Sequence, residues 1–140
     1  VLQLLLECII LSYSSYESAV INQLGREYFR HQKPLAAIAK RILDLGLPFR
    51  SGQVVYGEFG GSWSIKSVLP VLVPGMGYDS LEVGQGMEAV DAFNRLRSPD
   101  TPAKEKAKIR KDLLDYCGQD TMAMVKVLDV LRDRVTRAKK

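Results

Sequence analysis

Tyr116 and Asp120 stand four residues apart in Tyr116-Cys117-Gly118-Gln119-Asp120-Thr121, so on a helix they share one face. Apolar residues at Leu113, Cys117, Met124, Leu128, Leu131 and Val135 mark a stripe at helical spacing, and Asp120 falls inside it. A carboxylate turned towards a core is costly unless a charge or a hydrogen-bond donor meets it. Glu17 raises the same question, because it falls on the side of Val20, Ile21, Leu24 and Tyr28. Two carboxylates converging with a hydroxyl suit divalent cations that prefer oxygen, Mg2+ or Mn2+. A pair of such ions bridging a phosphate activates water and stabilises a leaving oxygen, and Tyr116 would position the attacking water. The competing reading is structural. Both acids then turn out to solvent or accept backbone donors, and Ser14-Ser15-Tyr16-Glu17 is a capping box with Ser14 as N-cap and Glu17 as N3.

Other chemistries find less support. The one histidine, His31, lies in the polar stretch His31-Gln32-Lys33 at a helix end and reads as solvated. Cys8 and Cys117 are far apart, form no CxxC and sit in apolar runs, which reads as two reduced, buried thiols in a cytoplasmic protein. With one histidine and no paired cysteines a zinc site is not expected, and no G-x-S-x-G occurs. Gly57, Gly60 and Gly61 are not followed by Gly-Lys-Ser/Thr, so no phosphate loop is formed. Trp63 beside them reads as a packing anchor rather than a base-stacking platform.

The elements that must position these residues follow from periodicity. Val1 to Glu7 predicts a short helix. Cys8 to Tyr13 is β-branched and apolar on both parities, the pattern of a strand covered on both faces. A helix runs from about Tyr16 to Arg30. Pro34 is expected to open a third helix, with Leu35, Ile38, Ala39 and Ile42 as its stripe and Gly46 and Pro48 as its stop. Val54-Val55-Tyr56 predicts a short strand. Ser64 caps a short helix containing Ile65, Val68 and Leu69, which Pro70 brings towards its end. Pro74 to Gly77 is a turn, and a loop with Tyr78, Leu81 and Val83 leads into a helix from about Met87 to Arg97. Ser98 to Pro102 is a surface break too short to link domains. A long helical region begins near Ala103, with a kink expected at Gly118.

At 140 residues the chain is one domain or part of one. Apolar content of 46% and charged content of 26% are ordinary for a globular chain. A net charge of +4 permits a polyanionic partner without requiring one. Much of that excess lies from Arg132 to Lys140, where basic residues also suit a helix C-terminus. The first eleven residues lack a basic n-region and a cleavage site and are too short to span a bilayer, so no membrane partner is expected. The chain begins at Val1 rather than Met, which suggests a piece of a longer protein with an upstream domain or strands.

Tyr116-x-x-x-Asp120 resembles the third motif of the DEDD exonucleases in the variant with tyrosine rather than histidine. Ser12-Tyr13-Ser14-Ser15-Tyr16-Glu17 is similar to the second motif, where a strand ends and an aromatic–acid pair opens a helix. Ser64-Ile65-Lys66-Ser67-Val68-Leu69 looks like the helix often found between those motifs. The runs Gly61 to Pro70 and Tyr116 to Val125 look closer still to an uncharacterised bacterial domain family placed among RNase H-like folds. The resemblance implies an α/β, RNase H-like fold, here an N-terminally truncated, helix-rich part with a short sheet. It implies 3′-to-5′ hydrolysis of DNA or RNA, at single-stranded 3′ ends, by two Mg2+ or Mn2+ ions. Glu17 and Asp120 would be metal-site acids and Tyr116 would orient the water. Three departures stand out. Glu17 replaces the usual aspartate, Tyr13 replaces an asparagine, and no D-x-E occurs to supply the two acids of the first motif. The 140 residues alone are therefore expected to be inactive. The alternative is a catalytically degenerate domain that binds nucleic acid or another domain.

Overall fold

The computed structural model describes residues 8–84 and 86–138. The helix predicted over Val1 to Glu7 lies outside them. Among the described residues the architecture is mixed α/β, rich in helix, with one two-stranded parallel sheet. The chain divides into two compact units, the first ending at Ser67 and the second beginning at Val68.

In the first unit β1 (Ile10–Ser12) leads into α1 (Tyr16–Glu27), a 3-10 turn (Phe29–His31), α2 (Gln32–Ala39) and β2 (Ile42–Asp44). The two strands pair in parallel, with Ile10 opposite Ile42, Leu11 opposite Leu43 and Ser12 opposite Asp44. Parallel strands cannot be joined by a tight turn, and the two helices supply the crossover. Gly25, the buried residue of α1, faces α2. A Cβ there would meet Leu35 Cβ at 3.8 Å and the Gln32 Cα at 3.9 Å.

β1 is shorter and barer than its sequence predicts. Ile10 and Leu11 are half-buried, Ile9 is 64% exposed, and β2 is the only strand beside β1 among the described residues. Ile42 belongs to a strand and not to the stripe of the third helix. That helix closes with Lys40 N–H donating to the Ala36 carbonyl (3.2 Å) and Arg41 N–H to that of Ile38 (3.0 Å), and β-branched Ile42 then pairs with Ile10. Pro34 stands third in α2 and not first, still within the turn whose N–H groups lack helical partners.

Gly46 opens a helix instead of ending one, at the head of α3 (Leu47–Arg50). Asp44 Oδ1 accepts the Gly46 N–H at 2.9 Å, and its Oδ2 accepts from Arg50 Nη2 at 2.6 Å. The corner is tight: a Cβ at Gly46 would lie 2.6 Å from the Tyr13 carbonyl oxygen and 2.7 Å from Arg50 Nη1. Leu45, Phe49 and Phe59 are buried here. Phe49 stacks on Tyr13 at 6.1 Å between centroids and meets Phe59 edge-on at 5.9 Å. Val54 to Tyr56 is not a strand. Gln53 and Val54 both donate their N–H to the Pro48 carbonyl, which holds the chain in a turn and leaves Val55 71% exposed. Trp63 is half exposed, with the Arg50 guanidinium 5.7 Å from its ring centroid.

α4 (Ile65–Leu72) carries the division between the units. In the second unit its Val68 and Leu69 are fully buried, and α5 (Gly86–Arg97) packs on α6 (Ala103–Ala138). α6 is helical without interruption through Gly118. Ile109, Ala123 and Val127 are its buried residues, with Leu113, Tyr116 and Asp120 half-buried on the same side. The face is thus rotated from the expected stripe: Cys117 and Val135 are exposed. No helix among the described residues is long and apolar enough to cross a membrane.

Candidate functional site

The site is built where α6 holds the loop that follows α4. Gly75, at φ +88°, turns the chain after Val73 N–H bonds the Leu69 carbonyl at 2.8 Å. Positive φ is where glycine is needed. The loop then meets α6 through two consecutive residues on each side. Gln119 Nε2 donates to the Gly77 carbonyl at 2.8 Å, and the Tyr78 hydroxyl donates to Asp120 Oδ1 at 2.7 Å. Tyr78 is buried, and its ring lies 6.4 Å from that of Tyr116, tilted by 55°. Pro70, Gly75, Met76, Gly77, Asp79, Ser80 and Gln119 border an open hollow of about 450 Å3 beside this contact.

Tyr116 lies one turn before Asp120 on the same half-buried side of α6. Burial pushes the Tyr116 phenol up to about 12, and the neighbouring Asp120 carboxylate adds to the shift. The Tyr78 hydroxyl therefore answers the half-buried carboxylate of Asp120, with the Tyr116 ring beside it. A hydrogen bond to a charged group stabilises by about 1.5–3 kcal/mol.

Glu17 belongs to the first unit, in the first turn of α1, and is exposed. Ser14 Oγ donates to Glu17 Oε2 at 3.0 Å and accepts the Tyr16 N–H at 3.1 Å. Ser15 is the N-cap residue and makes no side-chain cap bond, so the predicted capping box is replaced by a Ser14–Glu17 side-chain pair. A helix N-terminus still favours the negative charge of Glu17. Tyr13, close by in sequence, has a buried hydroxyl without a hydrogen-bond partner, and burial raises its pKa.

The predicted residues thus divide. Tyr116 and Asp120 are brought together in the second unit, and Glu17 lies in the first. Carboxylate and phenol oxygens are the right donor types for Mg2+ or Mn2+. Their number falls short: no three His, Cys, Asp or Glu side chains group for a metal among the described residues, and Asp120 meets the Tyr78 hydroxyl. Sequence reasoning missed Tyr78. Its one local signal is its place directly after the Pro74–Gly77 turn. The two cysteines are exposed rather than buried; Cys117 faces outward because Ile109, Ala123 and Val127 set the inner face of α6.

A second hollow, about 390 Å3, lies between α5 and α6 and is rich in acids. Its charges are largely cross-linked: Arg95 pairs with Glu105, and Lys108 with Glu82 at 3.3 Å and Asp112 at 3.4 Å. Glu88 accepts the Gly84 N–H at 3.0 Å.

Residues 4–64 match the model of a family described as a domain of unknown function, DUF2779. The match includes Glu17 and stops before Tyr116 and Asp120. No curated protein and no solved structure matches the chain.

Proposed function

We propose that the chain is part of an RNase H-like domain that hydrolyses nucleic acid from its 3′ end in the cytoplasm with Mg2+ or Mn2+. Glu17 and Asp120 are two of its acids, and Tyr116 orients the water. The observation that carries this reading is the placing of Tyr116 and Asp120 one turn apart on one half-buried helix face. Glu17 supports it by heading the helix that follows a parallel strand. The resemblance of these two segments to exonuclease motifs supplies the substrate class. Two more acids are needed, and this chain has no D-x-E to provide them.

The test uses single-stranded DNA and RNA labelled at the 5′ end, with Mg2+ or Mn2+. The 140-residue chain alone should leave them intact. A longer protein carrying a D-x-E strand should shorten them from the 3′ end. Asp120→Asn or Glu17→Gln should abolish that activity, and Tyr116→Phe should lower it by about 10²-fold, as loss of a group that positions a proton transfer does. Robust degradation by the 140 residues alone, or full activity in the Asp120→Asn longer protein, would sink the proposal.

A second reading is favoured by the bond from Tyr78 to Asp120. Here Asp120 anchors a loop, catalysis is lost, and the domain binds nucleic acid without cutting it. Salt-sensitive binding with no metal-dependent cleavage in any length of the protein would select this reading.

A further inference from the structure

The tip of the α1–α2 hairpin presents two aromatic rings and three cations to solvent. The segment is Arg26-Glu27-Tyr28-Phe29-Arg30-His31-Gln32-Lys33. Phe29 is 81% exposed and Tyr28 57% exposed. Arg26, Arg30 and Lys33 are exposed, and among the described residues none makes an ion pair or a side-chain hydrogen bond. The one nearby acid, Glu27, accepts from Gln23 Nε2 at 2.8 Å. The tip is held in shape. Tyr28, at φ −110° and ψ 70°, stops α1, its N–H bonding the Leu24 carbonyl at 2.7 Å. His31 N–H closes the 3-10 turn on the Tyr28 carbonyl at 2.8 Å, and α2 packs against α1 behind it.

Exposed rings on an ordered turn, bracketed by unpaired cations, have the two components of a single-strand contact. Bases of any sequence stack on an aromatic face, and phosphates are neutralised by the flanking charges. We propose that this turn is a binding surface for single-stranded nucleic acid, with Phe29 and Tyr28 stacking bases and Arg26, Arg30 and Lys33 contacting phosphates. It goes beyond the reading above, because the surface binds whether or not the domain hydrolyses what it holds.

The probe is a fluorescein-labelled oligothymidylate of about fifteen nucleotides, within the span such surfaces cover. Anisotropy is read with the full 140-residue chain in EDTA, so that hydrolysis plays no part. Binding should be tighter than to a duplex of the same length. With three cations, log K should fall against log salt with a slope of about −2, and Arg30→Gln should reduce that slope by about 0.7. Phe29→Ala should weaken binding at least fivefold while leaving the circular dichroism spectrum and Tm unchanged, since the ring is on the surface. Absence of binding at low salt would overturn the proposal. So would equal affinity of the parent, Phe29→Ala and the triple Arg26→Gln, Arg30→Gln, Lys33→Gln variant. Equal competition by polyglutamate would also refute it, because charge alone would then account for the contact. Failure of the hydrolysis test with success here would leave this surface standing.

Discussion

Tyr78→Phe removes one hydroxyl and leaves the ring that fills the space. The hydroxyl donates to Asp120 Oδ1 at 2.7 Å, and Tyr78 is only 6% exposed, so water cannot easily replace it. A hydrogen bond to a charged acceptor is worth about 1.5–3 kcal/mol. Asp120 is only half-buried, so water can still reach it, which places the loss near the lower end, about 2 kcal/mol. At roughly 2–4 °C per kcal/mol for a chain of this length, Tm should fall by about 4–8 °C. Urea denaturation of the parent, Tyr78→Phe, Asp120→Asn and the double variant forms a cycle that isolates the pair. A coupling of at least about 1 kcal/mol is expected, because the two groups touch. Amide exchange at Gly77 to Leu81 should rise in the single variants, since the same contact holds the loop. A Tyr78→Phe protein as stable as its parent, with coupling near zero, would refute the assignment of Tyr78 as the group that meets Asp120.

Glycine positions separate sharply. Gly46→Ala puts a Cβ 2.6 Å from a backbone oxygen and should cost about 1–3 kcal/mol or more in urea denaturation. Gly118→Ala, in open space on α6, should raise stability by about 0.5–1 kcal/mol in the same assay. The Tyr116 phenol, ordinarily near 10, is held up to about 12 in the folded chain. The stability tied to it is therefore complete below pH 10 and declines as pH rises from 10 to about 12, as the unfolded chain ionises first. Ultraviolet titration of Asp120→Asn should show a lower phenol pKa that still exceeds 10, because burial is the larger cause.

The Tyr116–Asp120 pair was legible because helical spacing alone makes i and i+4 neighbours. Its third member was not, because the Tyr78 hydroxyl reaches Asp120 across a loop of no fixed period. The same division holds for the fold. Local pattern places Val68 and Leu69 in a short helix, and they are helical and fully buried. Ile42 continued the helical spacing of Ile38 and Ala39, yet pairing with Ile10 overrode it. The α6 stripe was misplaced by about one residue because large apolar side chains were weighted, whereas α6 turns the small Ala123 inward with Ile109 and Val127. The capping box gave the right residues and the wrong bond: Ser14 and Glu17 meet through their side chains.

The parallel pairing of β1 with β2 also bears on how the chain folds. Ile10 finds Ile42 only after all of α1, the short turn and α2 have been traversed. Closing so long a loop before any contact rewards it is entropically costly, and the cost grows with loop length. The α1–α2 hairpin, built from neighbours in sequence and packed at Gly25, shortens the effective search by carrying β2 back towards β1. The expected order is therefore hairpin first and sheet last. A bulky residue at Gly25 should slow refolding, while Leu43→Ala on the half-exposed strand should chiefly speed unfolding. The same helices that hold the aromatic tip in place are thus the ones expected to set the folding rate of the first unit.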